Sequence, residues 1–285
     1  MSTNTIHLTE TARDAMQGIN RFIATDDKVR YINALMETGF DVVDCGSFVS
    51  PKVIPQMADS GKVISSIHQP LKHTGIMALV VNEKGVQQAV SNGRVNWLSY
   101  PFSVSAVFLQ RNLHTDRARA LATIDKMLAA TDETHMSWVI YLSMGFGNPY
   151  GEDWSIGLVT DAAAVLYEKG IRRMPLSDIL GEASPDTIFR TLESLHKSFP
   201  DADFGLHLHT KASEAFPKLE AAWEAGVRSF ETVMNGRGGC PTAADEMVGN
   251  LSTQSLLAFL EMKKIPHRLH PEALSKASRI AAELF

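Results

Sequence analysis

His207 and His209 close a short apolar run, Phe204-Gly-Leu-His-Leu-His209, and stand two residues apart. Side chains at i and i+2 of a β-strand leave the same face, so this spacing predicts two imidazoles projecting together from one strand end. That is a metal-ligand geometry. The next strand-like run, Val227-Arg-Ser-Phe-Glu-Thr-Val233, leads into Asn235-Gly-Arg-Gly-Gly-Cys240-Pro, a Gly-rich segment carrying one of only two cysteines. A thiol with an unperturbed pKa of about 8.5 can pass a proton in either direction close to neutrality. Near the other terminus, Glu10-Thr-Ala-Arg13-Asp14 sets a cation beside a carboxylate. Ligands, acid and cation are dispersed along the chain, and only a fold that gathers strand ends can unite them.

The elements between these residues have the alternation such a fold needs. β-rich runs at 6–8, 41–45, 76–82, 95–101, 136–144, 171–176, 204–209 and 229–233 are separated by helix-forming stretches, among them 26–38, 116–130, 156–168, 185–198, 212–225 and 253–263. Eight βα units of roughly 35 residues predict a TIM (β/α)₈ barrel forming a single catalytic domain over 1–285. An extra C-terminal helix, 271–284, is expected outside the barrel or across one end. A doubly wound open sheet would want a phosphate-binding Gly fingerprint in the first βα turn, which Asp14-Ala-Met-Gln-Gly18 does not supply. In a barrel, chemistry sits at the carboxyl ends of the strands. Polar residues fall there repeatedly: Arg13 and Asp14 after strand 1, Asp44 ending strand 2, Asn82 ending strand 3, Ser103 after strand 4, Asp178 after strand 6, and Cys240 after strand 8.

Composition narrows the partners. The 285 residues are 45% hydrophobic and 21% charged, enough to bury a full core without disulfide help. A formal net charge of -5 with no basic stripe argues against nucleic acid and for a small-molecule partner. No apolar run reaches the roughly 18 residues of a membrane span, so no membrane partner is expected. The opening Met-Ser-Thr-Asn-Thr-Ile-His resembles neither a secretory signal nor a transit peptide, which predicts a cytoplasmic protein. Cys45 and Cys240 fit free thiols in a reducing compartment, with Cys45 a core residue inside a strand.

Ser47-Phe-Val-Ser-Pro-Lys-Val-Ile-Pro-Gln-Met-Ala-Asp59, Arg13-Asp14, Leu206-His-Leu-His209 and Gly238-Gly-Cys240-Pro together resemble the 3-hydroxy-3-methylglutaryl-CoA lyase family, part of a superfamily of metal-dependent lyase and synthase barrels. The resemblance spans nearly the whole chain, and the Ser-Phe-Val-Ser-Pro-Lys run marks the lyase branch. It implies a TIM barrel, a Mg²⁺ or Mn²⁺ cofactor, an acyl-CoA substrate, a homodimer and a place in leucine degradation. The implied reaction splits (S)-3-hydroxy-3-methylglutaryl-CoA into acetoacetate and acetyl-CoA. Carried over position by position, the metal ligands fall on Asp14, His207, His209 and Asn250, the enolate-stabilising arginine on Arg13 and the loop cysteine on Cys240. Asp44 stands where the family usually has glutamate, and Asp178 matches an aspartate after strand 6; both are candidate proton-transfer or positioning groups. Arg13, Gln17 and Ser47 are expected to face the substrate. Such a ligand set leaves two positions of an octahedral cation for the substrate's alkoxide and one carboxylate oxygen. Carbon–carbon cleavage then leaves negative charge on the thioester oxygen, which a fixed guanidinium stabilises well.

The chain departs from the family pattern in places that bear on acyl specificity more than on reaction type. Thr210-Lys211 follows the histidines where Asp-Thr is common, so an acidic partner for the imidazoles is missing or comes from elsewhere. Arg237 adds a charge to the cysteine loop, Ser105-Ala106 replaces a frequent Ser-Glu pair, and Asn148 replaces a cysteine before Pro-Tyr. Two other readings stand beside the lyase. A Claisen-condensing synthase of the isopropylmalate or citramalate type would use the same metal and cation, but many carry a C-terminal regulatory domain and this sequence stops just after the barrel. A non-catalytic metal-binding barrel would need neither Arg13 nor Cys240.

Overall fold

Leu8, Val43, Ile76, Leu98, Ile140, Leu176, Leu206 and Phe230 are all buried, and each sits in a separate strand flanked by residues of the opposite face. The computed structural model describes residues 6–68, 71–238 and 248–285. Its strands are β1 (His7–Glu10), β2 (Val42–Ser47), β3 (Gly75–Leu79), β4 (Trp97–Tyr100), β5 (Ser137–Ile140), β6 (Leu142–Ser143), β7 (Leu176–Asp178), β8 (Leu206–Leu208) and β9 (Ser229–Thr232). All pair in parallel, in the order β5-β4-β3-β2-β1-β9-β8-β7-β6. β5 and β6 flank Tyr141 in one continuous run, the first half pairing with β4 and the second with β7. The two edges of the sheet are therefore one piece of chain, and the ring closes as the expected TIM barrel of eight strands.

Helices cover the outside, and the main core lies between them and the outward faces of the strands. A smaller cluster of Val42, Met77, Val139 and Tyr141, with Trp97 against it, fills the barrel interior below the site. Asp116, Ser155, Ser184 and Ser252 each cap a helix by accepting a hydrogen bond from an amide of its first turn. The C-terminal helix Pro271–Leu284 packs outside against Thr25–Met36, where Glu283 pairs with Arg30 at 2.9 Å. No helix among the described residues is long and apolar enough to cross a membrane.

Three local expectations are corrected. The run 171–176 forms its ladder later, over Leu176–Asp178, because Ile171 still serves the preceding helix through its bond to the Leu166 carbonyl and Pro175 has no N–H. Asp44 lies inside β2, which continues to Ser47, rather than at its end. Asn82 belongs to no strand: its side chain caps Glu83–Asn92 by accepting from Gly85 N at 2.9 Å.

Candidate active site

β1 ends at Glu10 and the chain turns at once into the helix Ala12–Gln17. Thr11 fixes that turn to the ring, its amide and hydroxyl both donating to the Thr232 carbonyl at 2.8 and 3.1 Å. Arg13 and Asp14 are thereby delivered, buried, over the strand ends. Arg13 donates through Nε to Asp44 Oδ2 at 2.9 Å, and its Nη2 lies 2.8 Å from the same oxygen. Its Nη1 donates to Asp14 Oδ1 at 3.1 Å and to Gln17 Oε1 at 2.9 Å. Gln17 closes the triangle by donating to Asp14 Oδ1 at 2.5 Å.

One guanidinium thus serves two carboxylates, and the environment drives their acidities apart. Burial raises the Asp44 pKa to about 6 against the pull of Arg13, with Asp14 and Glu231 adding repulsion. Its Oδ1 is buried without a hydrogen-bond partner. Burial acts the same way on Asp14 but is outweighed by Arg13, His207 and His209, so its carboxyl stays below the usual range.

His207 stands opposite Glu231 in the β8–β9 ladder, its Nδ1 2.8 Å from Glu231 Oε2. Tyr141 donates its hydroxyl to the same carboxylate, 3.1 and 2.9 Å from its two oxygens. Glu231 is therefore the acidic partner that Thr210 does not provide. Burial disfavours the charged His207 ring, but the bond and charge of Glu231 prevail and raise its pKa. His209 turns its Nδ1 to the Val248 carbonyl at 3.0 Å. A carbonyl only accepts, so that nitrogen carries the proton; burial and the neighbouring His207 lower the ring's pKa and keep it neutral. Sequence reasoning missed Glu231 and Tyr141. The signal for Glu231 was an acid alternating with Ser229 in a strand-like run, a position that faces the barrel interior.

Asp14, His207 and His209 offer ligand atoms within 4.8 Å of one another, the one such group among the described residues. Asn250 joins them through a backbone bridge to His209 and donates its side-chain amide to Asp14 Oδ2 and to the Arg237 carbonyl, each at 3.0 Å. Both imidazoles spend Nδ1 on the protein and keep Nε2 for a ligand, the arrangement that orients metal-binding histidines. A carboxylate, two such rings and an amide fit a divalent cation.

The remaining expected residues are placed differently. Asp178, last in β7, accepts from Gly181 N at 3.0 Å and Ala183 N at 2.8 Å, so both oxygens hold its own loop. Ser47 accepts from Val49 N at 3.1 Å, and its own amide donates to Ser60 Oγ at 2.9 Å. Cys240 lies outside the described residues. A cavity of about 190 Å³ opens over the cluster, bordered by Arg13, Asp14, Gln17, Tyr141, His207 and His209 and walled mostly by aliphatic and aromatic side chains; Asp44, Asp178 and Ser47 do not line it, and Asp44 meets it only through Arg13.

A closed parallel barrel with a carboxylate–imidazole cluster and a buried arginine at its strand ends defines a class: a β/α-barrel enzyme suited to a divalent cation. Residues 5–281 match the HMGL-like family, and the chain belongs to it. It is 31% identical over 267 residues to hydroxymethylglutaryl-CoA lyase YngG of Bacillus subtilis, covering 94% of this chain and 88% of that protein. The crystal structure of Bacillus subtilis HMG-CoA lyase aligns with a TM-score of 0.93 at 30% identity, covering 99% of this chain and 94% of the other. An HMG-CoA lyase from Acinetobacter baumannii, solved with coenzyme A and 3-methylmalate, aligns at 0.91 with 28% identity, covering 100% and 93%.

Proposed function

We propose that this chain is a carbon–carbon lyase that cleaves (S)-3-hydroxy-3-methylglutaryl-CoA to acetoacetate and acetyl-CoA, with Mg²⁺ or Mn²⁺, as a cytoplasmic homodimer in leucine degradation. The observation that carries the reading is the convergence of Asp14, His207 and His209 beside Arg13 in a member of the HMGL-like family. Asp14, His207, His209 and Asn250 would hold the cation, which would acidify the tertiary hydroxyl and anchor one carboxylate oxygen. Arg13, braced by Asp44 and Gln17, presents its guanidinium to the thioester oxygen where enolate charge develops. Asp44 can take a proton on its unpartnered Oδ1, its pKa of about 6 leaving it ionised yet basic near neutrality. Tyr141 and Glu231 keep His207 in the tautomer that frees Nε2. Cys240, assigned from sequence, returns a proton to the enolate carbon. Gln17 borders the substrate, whereas Asp178 and Ser47 act by positioning their own loops.

The test is incubation of purified protein with hydroxymethylglutaryl-CoA, Mg²⁺ and a reducing agent. Acetoacetate should form, cease with chelator and return with Mg²⁺ or Mn²⁺. Full turnover in metal-free protein, or condensation of acetyl-CoA with a 2-oxo acid in its place, overturns the reading.

A further inference from the structure

We infer that Glu152 is a specificity-determining positioning residue of the acyl pocket, acting through the N-terminus of the helix Ala106–Leu113. The inference rests on the reading of the cavity over Arg13 as the place where the acyl group sits.

The helix has only 8 residues and ends at His114 in a left-handed conformation, φ 51. An isolated helix of this length is unstable in water, so its place is set by what holds it. Of its first four amides, Phe108 N is capped by Ser105 Oγ at 3.0 Å and Leu109 N bonds the Ser105 carbonyl at 3.2 Å. The other two, Ala106 N and Val107 N, both donate to Glu152 Oε1 at 2.9 and 3.2 Å. Ser105 donates its hydroxyl to the second oxygen of the same carboxylate. A single acid from the connection that follows the adjacent strand therefore completes the helix start, and the helix dipole favours its charge there.

Glu152 is itself held. Asn148 donates to the Glu152 carbonyl at 3.3 Å and accepts from Tyr150 N at 3.0 Å, while Trp154 anchors the segment by donating to the Met144 carbonyl at 3.2 Å. The clasp ties the connection after β6 to the connection after β4. What it positions is the apolar wall: Phe108 and Leu113 of this helix line the cavity, with Asn112 beside them, and Phe108 packs with Met144 and Ile179. The polar wall, with Arg13, Asp14 and the two histidines, takes the substrate's oxygens. The carbon branch at the carbinol centre then faces the wall that Glu152 sets.

Three measurements test this. Hydrogen–deuterium exchange over 106–113 should rise in Glu152→Ala and stay near wild type in Glu152→Gln, whose amide oxygen still accepts from Ala106 N. A methyl group in an apolar pocket is worth about 10–200-fold in selectivity, so the wild type should prefer 3-hydroxy-3-methylglutaryl-CoA over the thioester lacking the methyl by at least about 10-fold. Glu152→Ala should cut that preference to below about 3-fold, mostly through KM, while Mn²⁺ affinity by calorimetry stays unchanged. Unchanged exchange overturns the inference, as does a uniform fall in kcat with selectivity intact, or a loss of Mn²⁺ binding. If the wild type cleaves neither thioester, the proposed reaction fails, and the exchange data still decide whether Glu152 holds the helix.

Discussion

Asp44 and Asp178 are both buried aspartates in barrel strands, and sequence reasoning gave them the same two possible roles, yet the structure treats them in opposite ways. Asp44 spends one oxygen on Arg13 and leaves the other buried and unpartnered, at a pKa of about 6. Asp178 spends both oxygens on backbone amides of the turn that follows it. The difference is local chain geometry. β2 runs on past Asp44, so the side chain points into the ring and meets a cation from the neighbouring strand's end. β7 stops at Asp178, so the nearest donors are the amides of its own turning chain. The carboxylate inside a continuing strand is left free of backbone duty, whereas the one that ends its strand is taken up by the turn.

The sharpest way to break this comparison is Asp44→Asn, which should cut kcat by about 10²–10⁴, the range for removing a general acid or base. The wild-type rate should also fall on the acid side as pH drops through about 6, because the raised pKa means the carboxylate is lost there, and that limb should vanish in the variant. A wild-type kcat in Asp44→Asn would reduce Asp44 to a brace for Arg13. Next comes the cation: Arg13→Lys should retain Mn²⁺ binding but lose about 10²–10³ in turnover, since an ammonium cannot reproduce the forked contact with Asp44, Asp14 and Gln17.

Glu10 extends the comparison to a buried acid with no cation. Burial raises its pKa from 4.5 to about 8 despite bonds from Met234 N and Thr253 Oγ1. The folded state then holds a proton that the unfolded chain releases, so the stabilisation is complete below about pH 4.5 and is lost as pH rises to about 8. Thermal melts should show the wild type losing a few kcal/mol across that window relative to Glu10→Gln, by the linkage of about 1.4 kcal/mol per pK unit. Parallel curves for the two proteins would mean that Glu10 is ionised throughout. The smallest effect belongs to Asp178→Asn, which should cost about 1–3 kcal/mol of stability by setting an amide N–H against a backbone donor, with kcat changed less than about 10-fold. A larger loss of kcat would return Asp178 to the catalytic group.

Much of this was legible in the sequence because it depends on period and punctuation. The eight strands followed from runs of alternating or apolar residues, and Ile156–Glu168, Pro185–Ser198 and Pro271–Leu284 match their expected bounds because Ser184 and Ser155 cap and proline opens where capping chemistry says they should. The short helices Ala12–Gln17, Ser60–Ser66, Glu83–Asn92 and Ala106–Leu113 were not among the expected ones. Ala12–Gln17 and Ser60–Ser66 have no side-chain cap to mark them, whereas Asn82 and Ser105 cap the other two, a local signal that sequence reasoning did not use. At the site, the two histidines and Asp14 were readable as donors, whereas their partners were not. Glu231 reaches His207 across a ladder, and the Val248 carbonyl reaches His209 from a segment of no distinctive composition.

The contact between Asn250 and Asp14 joins residues 236 positions apart in the chain. The pair lies across the seam where β1 meets β9, the last strand among the described residues. A cation bound at this site would thus act as a proofreading step on the topology. Contacts of such high sequence separation form late and slowly, and a cation that grips the finished ring but not its open precursors stabilises only correctly closed molecules. Chains whose first and last strands have mispaired would forgo that stabilisation and return to the folding pool, so the same atoms that would carry out the reaction also select the conformers able to perform it.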